Sequence, residues 1–108
     1  MQNQTPQPQQ QPKQIQIKIT DDILSGVFAN LMYISHTKEE FVLDYIFVQP
    51  PQGKVNARVI VTPTHAKRIC KALEENLKKY EDRFGKIEVN SAADGEIGFN
   101  YQGPVKEV

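Results

Sequence analysis

Between Thr62 and Gly85 the chain spells out one long helix, and that helix needs an apolar surface to meet. Thr62 is of the type that caps helix N-termini through a side-chain oxygen, and Pro63 suits the first helical position, where its missing N–H leaves no bond unmade. Ala66, Ile69, Cys70, Leu73, Leu77, Tyr80 and Phe84 then recur at helical spacing, which places them on one stripe. Glu74 with Lys78 and Glu75 with Lys79 are i,i+4 pairs in the favourable order, and Gly85 is the stop. Burying a large apolar side chain is worth roughly 1.5–3 kcal/mol before entropy is subtracted, so the stripe predicts a partner surface.

The rest of the pattern supplies a sheet. Ile15, Ile17 and Ile19 alternate with Gln16 and Lys18, the period of a half-buried strand, before Thr20-Asp21-Asp22 and Ser25-Gly26 break it. Residues 27–35, 40–48 and 54–62 are three further strand candidates, separated by the turn His36-Thr37-Lys38-Glu39 and the loop Gln49-Pro50-Pro51-Gln52-Gly53. Beyond the helix, Ile87 and Val89 alternate, Asn90 to Gly95 reads as a turn, and Ile97, Phe99 and Tyr101 alternate again as a last hairpin. The expected fold is α+β: an antiparallel sheet of four strands or more, with one long amphipathic helix packed on one face. Residues 15–102 form the single domain. Residues 1–14, mainly Gln and Pro, have nothing apolar to bury and read as a disordered tail, either a solubilising leader or a recruitment arm; residues 103–108 read as a frayed end.

Pairing Val48 with Lys54 sets a register. Phe47 then faces Val55, Tyr45 faces Ala57, Leu43 faces Val59 and Phe41 faces Val61, and Ser35 opposite Phe41 adds Tyr33, Leu31 and Ala29 to this helix-bearing face. The opposite face carries Phe28, Asn30, Met32, Ile34, Val42, Asp44, Ile46, Val48, Asn56, Arg58 and Ile60, with Asp44 directly across from Arg58. A sheet face this apolar is seldom left in water, and one helix covers only one side. Phe28, Asn30, Met32, Ile34, Val42, Asp44, Ile46, Arg58 and Ile60 are therefore the candidate binding interface, covered either by the C-terminal hairpin folding over it or, the favoured cover, by a second subunit in a C2 dimer. The Asp44–Arg58 pair reads first as a structural ion pair and second as a ligand-orienting one.

Chemistry is hard to find. Phosphate-binding glycine loops and zinc spacings are absent; the only histidines are His36 and His65, and the one cysteine, Cys70, lies on the apolar stripe. Acidic neighbours such as Glu39-Glu40 sit in turns, away from the apolar surroundings that would tune a catalytic acid. No catalytic residue, metal ligand or cofactor is predicted, and the chain is expected not to be an enzyme. His65, Lys67, Arg68 and Lys71 form a candidate basic patch for RNA. Lys+Arg and Asp+Glu both number 13, and this zero net charge argues against a dedicated polyanion binder. A single cysteine, no signal-like start and no membrane-length apolar run point to a cytoplasmic protein away from the membrane.

A resemblance adds to this. Gly26-Val27-Phe28-Ala29-Asn30, Ser35-His36, Glu40-Phe41-Val42-Leu43-Asp44, Ala57-Arg58-Val59, Thr62-Pro63 with Ala66-Lys67, and Tyr80-Glu81 with Phe84-Gly85 resemble a family of roughly hundred-residue bacterial and archaeal proteins known only as a domain of unknown function. The resemblance spans Gly26 through Ile87 and implies no catalytic or binding residues; it implies a stand-alone prokaryotic protein. The expected function is a non-catalytic interaction module that self-associates through the second sheet face. A chaperone-like binder of extended polypeptide and an RNA-binding module using the basic start of the helix are the alternatives, and a different protein partner is compatible with the first.

Overall fold

The computed structural model describes residues 13–89 of the chain. Its elements are α1 (Asp21–Leu24), β1 (Leu31–His36), β2 (Phe41–Gln49), β3 (Gln52–Val61) and α2 (Pro63–Phe84). The three strands form one antiparallel sheet in the order β1-β2-β3, so the architecture is α+β, with a sheet and one long helix. Two compact units are distinguished: one runs through His36 and takes in Val42–Ile60, and the other takes in Thr37–Phe41 and the chain from Val61 onward.

β2 is the central strand, and the most buried of the described residues lie on it. Leu43 and Ile46, each 6% exposed, are the only buried apolar residues among those described. They lie three positions apart on a strand, hence on opposite faces. Asp44, between them, is the most buried of the described residues. The turn into β3 is tighter than the expected five-residue loop. Both strands extend to its edge, Gln49 and Gln52, and leave only Pro50-Pro51 outside the ladder, where residues without an N–H forfeit no strand bond.

The expected fourth strand does not form. Residues 13–20 carry no strand, and Ile15, Ile17 and Ile19 are 80%, 90% and 61% exposed. Alternation sets a strand's period but supplies no partner edge. Here the chain enters α1 directly. The Thr20 carbonyl accepts the N–H groups of Ile23 and Leu24, and Gly26 ends the turn at φ 74°, a conformation that glycine adopts without strain. The chain after Gly26 is then bonded to β2 and β3 rather than back to residues 15–19. Of the last hairpin, Ile87 to Val89 are not in a strand and the remainder lies outside the described residues, as do residues 1–12 of the expected tail and the 103–108 end.

α2 is the predicted helix to within a residue at each end. The Thr62 hydroxyl accepts the His65 N–H at 3.1 Å, and Pro63 takes the first position. At the other end the Gly85 N–H donates to the Glu81 carbonyl at 2.9 Å, and the Glu81 carboxylate accepts the Ile87 N–H at 2.9 Å. The ion pair along the helix is Lys78–Asp82 at 3.3 Å. Both side chains are exposed there, so it contributes little to stability. No residue of α2 is buried.

Candidate functional site

Four side-chain relationships organise the sheet unit, and all of them involve residues on or beside the predicted interface. The first is the ion pair. Arg58 Nε donates to Asp44 Oδ1 at 2.6 Å and its terminal nitrogen Nη2 donates to Oδ2 at 2.8 Å, a two-pronged fit between planar groups. The carboxylate side chain is 1% exposed and the Arg58 side chain 45%. The expected cross-strand register puts these two residues opposite each other, and their contact agrees with it.

Asn30 is the second. Its side-chain nitrogen donates to the Val48 carbonyl at 2.9 Å while its side-chain oxygen accepts the Val48 N–H at 2.8 Å. Its own backbone N–H donates to the Ile46 carbonyl at 3.0 Å. A side-chain amide has one donor and one acceptor side, as a peptide unit has. Asn30 therefore continues the β2 ladder one step past the start of β1. Asn56 is the third: from β3 its amide donates to the Phe28 carbonyl at 2.9 Å. The fourth is the edge-to-face contact of Phe28 with Phe47, with centroids 5.8 Å apart and planes at 76°. Together these bonds strap residues 28–30 to both β2 and β3. Sequence reasoning placed Asn30 on the face without finding this role, because an Asn in an apolar stretch carries no mark of a backbone partner 18 residues away.

Phe28, Ile34 and Ile60 of the predicted interface are exposed by 68%, 53% and 55%, and Met32 by 39%. Val42 is half-buried, while Ile46 and Asp44 are buried within the chain. Val27, Ala29, Tyr45, Ala57 and Val59 line an open apolar depression of about 330 Å³. This brings together Ala29, Tyr45, Ala57 and Val59, which the expected register put on one face.

In the helical unit, Leu73, Leu77, Tyr80 and Phe84 are exposed by 58%, 43%, 50% and 65%, and the Tyr80 and Phe84 rings meet at a tilt of 44° with centroids 5.0 Å apart. His65, Lys67, Arg68 and Lys71 are exposed at the start of the same helix, and Cys70, on the apolar stripe, is exposed as well. Among the described residues no three His, Cys, Asp or Glu side chains converge in a way that could hold a metal ion, and no helix is long and apolar enough to cross a membrane.

No curated protein and no solved structure matches the chain. A family model does, over residues 1–89, described as a protein of unknown function (DUF3467). With most of its length matched, the chain belongs to the DUF3467 family.

Proposed function

We propose that this protein is a non-catalytic interaction module that works as a homo-oligomer. The observation that carries the reading is the row of exposed Leu73, Leu77, Tyr80 and Phe84 on a 22-residue helix, together with a count of only two buried apolar residues among those described. A small domain with so little enclosed core is short of stability, and association is the usual remedy. Exposed Ile34 and Ile60 give the sheet a second apolar surface for the same purpose. The zero net charge of the chain offers little opposition to self-association.

Light scattering on the purified chain at micromolar concentration tests this. The expected mass is a multiple of 12.3 kDa. A monomer at that mass retires the reading. A monomer that also captures an unfolded client moves the function to the chaperone-like alternative, which uses the same exposed surface.

A further inference from the structure

Resting on that reading of self-association, we infer that the partner of α2 is α2 of a second copy, laid antiparallel along the stripe. Ala66, Cys70, Leu73, Leu77, Tyr80 and Phe84 are spaced by four, three, four, three and four residues, the alternation that keeps a seam on one side of a helix pair. Ala66 is half-buried; the other five are exposed. Among the described residues the stripe is short of a partner over most of its length, and the order of its side chains selects the orientation.

Antiparallel pairing about residue 75 brings Ala66 against Phe84 of the second copy, Cys70 against Tyr80, and Leu73 against Leu77. Every layer then matches a small residue with a large one or two of equal size, so the two helices keep an even separation. Parallel pairing stacks each residue on itself. Ala66 and Cys70 would leave gaps at one end while Tyr80 and Phe84 crowd the other, and both gaps and overpacking are unfavourable.

Charge selects the same arrangement. The first half of α2 carries Lys67, Arg68 and Lys71 and no acidic residue; the second half carries Glu74, Glu75, Glu81 and Asp82 against Lys78, Lys79 and Arg83. Parallel helices put three positive charges beside three. Antiparallel helices put the basic half beside the acidic one, and Lys67 flanks the seam opposite Glu81 of the second copy, twice by symmetry. One contact opposes the pairing: Glu74 meets its own copy at the two-fold axis.

Cross-linking with a short bismaleimide separates the possibilities. Cys70 is the chain's only cysteine, so wild-type protein reports on Cys70 alone. In the antiparallel pair the two Cys70 thiols lie ten residues apart along the seam, about 15 Å of helix rise, and no covalent dimer is expected. Tyr80→Cys places a second thiol in the Cys70 layer and is expected to give a covalent dimer in high yield. Leu77→Asp is expected to abolish the light-scattering dimer, with a circular dichroism spectrum that retains the sheet signal. Glu74→Gln is expected to lower the dimer dissociation constant several-fold. Cross-linking of the wild type overturns the antiparallel orientation. A dimer by light scattering that neither cross-links in Tyr80→Cys nor dissociates in Leu77→Asp overturns the helix as the contact while leaving self-association in place.

Discussion

Arg58 grips Asp44 through two hydrogen bonds of 2.6 and 2.8 Å, with the carboxylate sealed from water and the guanidinium side chain still 45% exposed. The burial of this pair is one-sided. The cost of removing the cation falls on the carboxylate, which has no access to solvent to replace the lost bonds. Arg58→Met is expected to lower unfolding free energy by about 3 kcal/mol, the lower end of what breaking a buried pair costs, because Arg58 is itself partly screened by water. Arg58→Lys keeps the charge but loses the planar fork, and its loss is expected to fall between wild type and Arg58→Met. Urea unfolding of the three proteins gives the order; equal midpoints for wild type and Arg58→Met would contradict it.

The Asn30 side chain stands in for a strand residue, so its removal acts on one identifiable backbone unit. Asn30→Ala takes away both bonds to Val48 and is expected to cost about 1–2 kcal/mol, since water replaces part of what is lost. Asn30→Asp keeps an acceptor for the Val48 N–H but turns an oxygen toward the Val48 carbonyl, and is not expected to rescue. Hydrogen exchange is the sharper readout. The Val48 amide should exchange faster in Asn30→Ala, while amides near the Lys38-Glu39 turn are unchanged.

The hydroxyl of Thr62 holds the His65 N–H. Thr62→Ala is expected to cost about 1 kcal/mol and Thr62→Ser almost nothing, because serine supplies the same oxygen. Thermal unfolding followed at 222 nm compares them. Identical transitions for Thr62→Ala and wild type would show that the cap adds nothing.

Asp22 is held below its ordinary value of 3.8, first by a hydrogen bond from the Thr20 side chain and then by backbone N–H groups of its own turn. A carboxylate with a lowered folded value stabilises the fold above its unfolded value. That contribution is lost as the pH falls through the lower folded value. Thr20→Val removes the leading cause, so the Asp22 carboxyl signal in an NMR pH titration should move up toward 3.8. The fold's acid midpoint should change little, because the group is fully solvent-exposed.

α2 was legible because everything that defines it is local. The cap at Thr62, the proline after it, the period of the stripe and the glycine at 85 all act within a turn or two of chain. The Asp44–Arg58 contact was legible for a related reason: the loop after Val48 is short, and counting outward from Val48 opposite Lys54 brings the two together. Asn30 and Asn56 were not legible, since their partners are backbone groups 18 and 28 residues away, reached by side chains that could as well have faced solvent.

Ile15, Ile17 and Ile19 show where the boundary lies. Their alternation is the local preference of a strand, and the sequence by itself determined that preference, along with the helix, the proline turn and the apolar faces of β2. Tertiary structure alone decided that no strand edge receives residues 15–19 and that the segment 28–30 takes its place beside β2. Dihedral preferences are settled by neighbouring atoms, whereas a hydrogen-bonding edge belongs to whichever distant segment reaches it with a better set of bonds, and Asn30 and Asn56 supply that set.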